Sequence, residues 1–156
     1  MKDIPEADFQ TLVRQAPLVS VDLVITDPLD YCLLGRRQNR PAKGVMFVPG
    51  GRILKNETID DAIKRIMLAE TGYQIGEQDE QKFLGVYEHF YDNSFLDANI
   101  STHYVVLAHR IKLKARFMED PDNQHDILEW LPLNELLNRS DVHTKKIYKL
   151  TRQLRK

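Results

Sequence analysis

One spaced set of glycine, acidic and basic residues constrains this chain more than any other feature. Gly51 is followed after five residues by Glu57 and, after seven more, by a run that begins at Arg65 and ends in Glu70 and Gly72. The apolar residues within this stretch recur at helical spacing: Ile59, Ala62, Ile63, Ile66 and Met67. The sequence therefore predicts a glycine turn followed by one amphipathic helix with carboxylates near both of its ends.

The rest of the chain alternates between segments typical of strands and of helices. We expect helices over 8–13, 58–72, 134–137 and 141–154. We expect strands over 18–25, 31–34, 82–91, 102–113 and 128–130, the first two joined as a hairpin. No repeat, low-complexity run or linker divides the sequence, so residues 1–156 are expected to form a single domain. This order predicts an α/β (α+β) fold, with an α/β/α sandwich around a mixed β-sheet.

Composition excludes several classes of protein. Twenty-two basic against twenty-three acidic residues give a net charge of -1, which argues against a nucleic-acid partner held by a large basic surface. The single cysteine, Cys32, excludes an internal disulfide and a Cys-rich zinc site. The start has no apolar stretch typical of a signal peptide, and the run from Tyr104 to Ala108 is too short to span a bilayer. We expect a cytoplasmic protein without a membrane partner.

Two segments carry residues suited to phosphate and metal chemistry. Consecutive glycines at 50–51 let the backbone approach a ligand closely, and Arg52 directly after them can bind phosphate. Arg37, in an arginine-rich stretch, has the same planar fork. Glu70 lies on or beside the apolar stripe of the predicted helix, so its carboxylate needs a partner. A hard cation such as Mg²⁺ would serve, and so would an ion pair with Arg65 or Arg52.

Other polar residues allow a catalytic reading or an ordinary structural one. Asp22 lies on a predicted strand in which apolar and polar residues alternate. It is either a polar residue that faces the core or a catalytic acid. His125 lies in a polar segment, where a histidine can accept a proton at neutral pH or be a bystander. Three further residues on neighbouring predicted strands are candidates to line the same cavity: His89, His103 and Tyr104.

Six blocks in order resemble the GDP-mannose mannosyl hydrolases, a divergent branch of the Nudix family. The blocks are Pro17–Ser20 with Asp22, Asn39–Ala42, Phe47–Arg52, His89–Asp92, Thr102–Leu107 and Gln124–Asp126. Ile66 and Ala69 stand where the general Nudix pattern carries glutamates, and this branch lacks the same two. The resemblance covers nearly the whole chain.

The resemblance implies an activity. These enzymes hydrolyse GDP-mannose, and GDP-glucose to a lesser degree, to GDP and free sugar. Water attacks the anomeric carbon with inversion, and one magnesium ion serves each subunit. The resemblance also implies a homodimer and a GDP-sugar as the partner.

The resemblance further implies roles for individual residues. The Gly50 carbonyl, Glu70 and Gln124 would bind magnesium together with the diphosphate, and His125 would be the general base. Arg37 and Arg52 would hold the phosphates. Asp22 and Tyr104 match further active-site positions, and Phe9 would stack on the nucleotide.

Physical reasoning favours the same reaction over two alternatives. Attack at phosphorus usually benefits from several metal ions, and Ile66 and Ala69 remove the carboxylates that a multi-ion site needs. This weighs against a conventional Nudix diphosphatase, which would release GMP and a sugar 1-phosphate. The other alternative is a non-catalytic nucleotide-sugar sensor. Four residues suited to catalysis weigh against it: Arg37, Arg52, Glu70 and His125.

Overall fold

The structure is a computed structural model that describes residues 4–38, 43–117, 128–136 and 138–142. Its helices are α1 (Glu6–Gln15), α2 (Ile59–Thr71) and α3 (Leu133–Leu136). Its strands are β1 (Leu18–Thr26), β2 (Tyr31–Arg36), β3 (Met46–Phe47), β4 (Gly50–Arg52), β5 (Glu80–Tyr91), β6 (Thr102–Lys112) and β7 (Leu128–Pro132). Each element predicted within these ranges is present, with shifted ends. The helix predicted over 141–154 lies almost wholly outside the described residues.

The strands form one mixed sheet of seven strands. Its main path runs β3-β2-β1-β6-β5, with β4 added to β1 and β7 added to β2. β1 and β6 are parallel over nine residue pairs, whereas the other pairs are antiparallel. The predicted mixed sheet and the β1–β2 hairpin are therefore confirmed.

Alternation along β1 assigns its side chains to two buried layers. Val21, Leu23 and Ile25 pack with α2 through Ile63 and Met67, all of them fully buried. On the other face, one cluster joins sheet residues to α3: Val24, Cys32, Leu34, Ala108 and Leu136 are among its members. A sheet with helices on both faces confirms the α/β sandwich. Among the described residues, no helix is long and apolar enough to cross a membrane.

Helix α2 begins and ends where the sequence predicts. The Thr58 hydroxyl oxygen accepts from the backbone N–H of Asp61 at 3.1 Å and donates to the Asp61 carboxylate at 2.7 Å. Gly72 terminates the helix with φ +71°, a left-handed conformation, and its N–H donates to the Leu68 carbonyl at 2.9 Å. Glu70 is thus held in the last turn of a helix with defined ends.

The glycine segment forms a strand, where the sequence predicted a turn. Gly50–Arg52 is strand β4, paired antiparallel with β1 so that Asp22 lies opposite Gly50 and Ser20 opposite Arg52. A Cβ atom on Gly50 would lie 2.5 Å from Asp22 Oδ1 and 2.8 Å from the Val21 carbonyl oxygen. Only glycine permits this approach, which brings β4 against the Asp22 side chain.

Candidate active site

A cavity of about 230 Å³ opens where β4, the end of α2 and the strands β5 and β6 meet. It brings together residues to which the sequence assigned possible roles: Asp22, Arg37, Gly50, Arg52, Glu70, His89 and Tyr104. Tyr91 lines the same cavity. Phe9 does not line it but contacts Arg52. Gln124 and His125 lie outside the described residues.

Asp22 has an acid strength suited to proton transfer at neutral pH. Burial raises the pKa of its carboxyl from 3.8 to about 7, and the nearby Arg37 guanidinium opposes the rise. Both protonation states are therefore populated near pH 7, and the group can accept or donate a proton. This places Asp22 among candidate acid–base groups.

Three aromatic side chains that carry polar atoms line the cavity near Asp22: His89, Tyr91 and Tyr104. Tyr91 Oη and His89 Nδ1 are 3.2 Å apart, and the Tyr91 and Tyr104 rings meet edge to face at 6.4 Å. Burial raises the pKa of both phenols, with Arg37 again opposing the rise. Both tyrosines are therefore neutral at physiological pH, and their hydroxyls can donate to a ligand oxygen.

Sheet register decides which of the candidate histidines lines the cavity. His89 lies opposite Tyr104 on adjacent strands, so both face the cavity. His103 lies opposite Phe90 on the other face, stacked on that ring at 4.4 Å and 3.3 Å from a Glu88 oxygen. The suggestion that His103 lines the cavity is wrong. Tyr91, which the sequence analysis missed, was detectable as the residue two after His89 on one strand.

Both cavity arginines lie over aromatic rings. The Arg37 guanidinium carbon is 5.2 Å from the Phe47 ring centre, and that of Arg52 is 4.5 Å from the Phe9 ring centre. Two backbone hydrogen bonds hold Arg37 in place. Its N–H donates to the Val45 carbonyl, and its carbonyl accepts from the Gly44 N–H. Two guanidinium groups in one cavity favour an anionic ligand with more than one charge.

Glu57, the first glutamate of the spaced motif, stabilises the backbone of the site through Arg65. Arg65 donates to the Glu57 carboxylate at 2.6 and 2.9 Å and to the Arg52 carbonyl at 2.9 Å. These bonds lower the pKa of Glu57, which also accepts from the Leu54 N–H. Glu57 and Arg65 thus tie α2 to the backbone of Arg52.

The described donors suit one hard cation better than a cluster. Gly50 and Glu70 line the cavity and offer a carbonyl and a carboxylate, which are oxygen ligands of the kind that Mg²⁺ takes. Ile66 is buried against Gly51, and Ala69 has no polar group. Within the described ranges, no three His, Cys, Asp or Glu side chains are placed to hold a metal ion together.

Comparisons with known proteins agree with this architecture. Residues 16–154 match the NUDIX domain. The chain is 41% identical over 126 residues to the low-salt glycan biosynthesis protein Agl8 of Haloferax volcanii, covering 81% of this chain and 78% of that protein.

Solved structures show the same fold at low sequence identity. The E. coli dihydroneopterin triphosphate pyrophosphohydrolase superposes with a TM-score of 0.70 at 16% identity, over 86% of this chain and 92% of that one. A MutT NUDIX hydrolase from Burkholderia pseudomallei superposes with a TM-score of 0.64 at 23% identity, over 88% and 98%.

Proposed function

Since this chain belongs to the Nudix family of hydrolases, we propose that it hydrolyses GDP-mannose, and GDP-glucose to a lesser degree, to GDP and free sugar. Water attacks the anomeric carbon with inversion. The observation that carries the proposal is the content of the cavity. Among the described residues it holds two arginines, the single glutamate of α2 and Asp22 with its pKa raised to about 7, and no three carboxylates placed together to hold a metal cluster.

The arginines are suited to the leaving group. Arg37 and Arg52 bind the diphosphate through charge-assisted hydrogen bonds. Their charge stabilises the negative charge that develops on GDP as the bond between the sugar carbon and the phosphate oxygen breaks. The phenol of Tyr104 is neutral and can donate to an oxygen of the substrate.

Proton transfer completes the reaction at carbon. In this proposal His125 is the general base that removes a proton from the attacking water, and such a group contributes about 10²–10⁴-fold to the rate. Asp22 is a second acid–base group in this proposal, because its raised pKa allows it to carry a proton near pH 7.

Nudix hydrolases typically use a divalent metal such as Mg²⁺. We propose one Mg²⁺ per subunit, held by the Gly50 carbonyl, Glu70 and Gln124. When bound, the ion neutralises part of the diphosphate charge and makes GDP a better leaving group. One carboxylate with neutral oxygen donors is consistent with a single ion.

The setting of the activity is proposed from the relatives. The name of the Haloferax volcanii protein places that protein in glycan biosynthesis, which supports a nucleotide-sugar substrate for this chain. We propose that the chain acts in the cytoplasm as a homodimer, without a nucleic-acid or membrane partner.

Turnover of GDP-mannose with MgCl₂ in H₂¹⁸O tests the proposal. We expect unlabelled GDP and ¹⁸O in mannose, with the β anomer formed first. Label in GMP or mannose 1-phosphate would show attack at phosphorus and overturn the proposal. Tight binding of GDP-mannose without products would favour a sensor instead.

A further inference from the structure

The Ser20 hydroxyl is a buried polar group that lines the cavity and has not yet been given a role. Ser20 is 5% exposed, and it belongs to β1, two residues before Asp22. We propose that its hydroxyl donates a hydrogen bond to an oxygen of the phosphate group that Arg52 binds. The inference rests on the proposed function only in that the cavity takes a diphosphate group.

Sheet register places Ser20 beside a residue suited to phosphate. Ser20 on β1 lies directly opposite Arg52 on β4 in an antiparallel pair. Residues paired in this way have their side chains on the same face of the sheet, with Cβ atoms about 5 Å apart. Both residues line the cavity. A hydroxyl and a guanidinium group are therefore placed to contact one phosphate group together.

The Ser20 hydroxyl is not used to hold the fold together. Among the described residues, no hydrogen bond joins it to a side chain or to the backbone. Most buried side-chain polar atoms in folded proteins have a partner, because a buried hydroxyl without one costs free energy. A phosphate oxygen in the cavity would supply that partner.

Ser94 shows how a structural serine hydroxyl differs. Ser94 is 3% exposed, and its hydroxyl donates to the Asp97 carbonyl and accepts from the Asp97 N–H, both at 2.9 Å. Ser94 does not line the cavity. The two serines are similarly buried and differ in what their hydroxyls contact, so Ser94 is the matched control for Ser20.

Ser20→Ala removes the hydroxyl and nearly keeps the size of the side chain, so it separates binding from packing. We expect Mg-pyrophosphate and GDP to bind this variant about ten-fold more weakly by calorimetry, as for the loss of a hydrogen bond to a charged group. The Tm without ligand should be unchanged or higher, because no hydrogen bond within the described protein is lost. Ser94→Ala should do the reverse, with a Tm lower by about 3 °C and unchanged affinity.

A double-mutant cycle with Arg52→Gln tests whether the two side chains bind the same phosphate group. The loss of pyrophosphate affinity in the double variant should be smaller than the sum of the two single losses, because a phosphate released by Arg52 is no longer held against Ser20. Strictly additive losses would separate the two side chains and overturn the inference.

Three further results would also overturn the inference. Unchanged pyrophosphate affinity in Ser20→Ala would mean that Ser20 serves only as a small residue. A loss confined to GDP-mannose would assign the hydroxyl to the sugar, and wild-type protein that binds no pyrophosphate would remove the anion site. None of these measurements requires turnover, so failure of the proposed reaction would remain distinguishable.

Discussion

At the scale of single residues, the site depends on a close approach of two strands that requires glycine at position 50. Gly50 lets β4 approach the Asp22 carboxylate, and the resulting burial raises the Asp22 pKa to about 7. Arg37 limits the rise without cancelling it. An acid that titrates near neutrality in a cavity is a functional candidate on physical grounds.

The raised pKa of Asp22 predicts a pH-dependent cost to stability. The folded protein binds the Asp22 proton more tightly than the unfolded chain, so stability falls as pH rises from about 4 to about 7 and then levels off. Asp22→Asn removes this dependence. The free energy of unfolding of the variant relative to wild type should rise by on the order of 2 kcal/mol between pH 4 and pH 8. This is less than the full pKa shift would give, because Asp22 is only partly buried.

Urea unfolding at both pH values measures this difference. Glu77→Gln, which changes an exposed acid, is the control and should show no such rise. If Asp22→Asn has the same effect on stability at pH 4 and pH 8, the carboxyl is not the titrating group.

A second residue-scale prediction concerns Gly50. The Cβ atom of Gly50→Ala would meet both Asp22 Oδ1 and the Val21 carbonyl, so β4 must shift away from β1. We expect kcat to fall at least about ten-fold, since a displacement of about 1 Å at a site can reduce the rate by up to 10²-fold. Gly76→Ala, whose nearest neighbour would be Asp79 at 3.8 Å, should retain full activity in the same assay.

At the scale of elements, α2 carries two functions at different points along its length. Its middle is joined through Arg65, which also bonds Glu57 just before the helix, to the backbone of Arg52. The last turn holds Glu70 on the cavity wall. The helix therefore sets the distance between a proposed phosphate-binding residue and a proposed metal ligand.

The C-terminal cap of α2 should accordingly affect metal binding as well as stability. Gly72 has φ +71°, and Gly72→Ala should lower the free energy of unfolding by about 1 kcal/mol because alanine disfavours that conformation. Fraying of the last turn would also move Glu70. We expect Mg²⁺ affinity, measured by calorimetry with GDP present, to fall by more than two-fold. Loss of stability with unchanged metal affinity would mean that Glu70 does not bind the ion.

At the scale of the whole molecule, the cavity is assembled from segments that are distant in the chain. Asp22, Glu70 and Tyr104 come from β1, α2 and β6, and the parallel pairing of β1 with β6 brings the first and last of these together. Ligand binding should therefore stabilise the entire fold and not one element alone.

Thermal unfolding tests this linkage. GDP with MgCl₂ at 100 times the dissociation constant should stabilise the protein by about 2.7 kcal/mol, which raises Tm by several degrees. Glu70→Gln should reduce the magnesium-dependent part of that increase. Glu77→Gln is the matched control on an exposed acid. An undiminished increase in Glu70→Gln would remove Glu70 from the proposed metal site.

Element positions and the spaced motif were readable from the sequence, because they depend on local periodicity and capping. The caps of α2 at Thr58 and Gly72 are examples. Strand β4 was not predicted, since its pairing with β1 depends on a partner thirty residues away. The faces of His89 and His103 were also undecided, because alternation separates the two sides of a strand without saying which side borders a cavity.

The sequence by itself thus determined the order of helices and strands, and it determined which residues have side chains able to bind phosphate, metal or protons. Only the tertiary structure decided which of these meet. It placed Glu57 with Arg65, placed Arg52 on Phe9, and excluded His103 from the cavity. The physical reason is that ionisation and ligand contact depend on burial and on neighbours, and both are set by long-range packing.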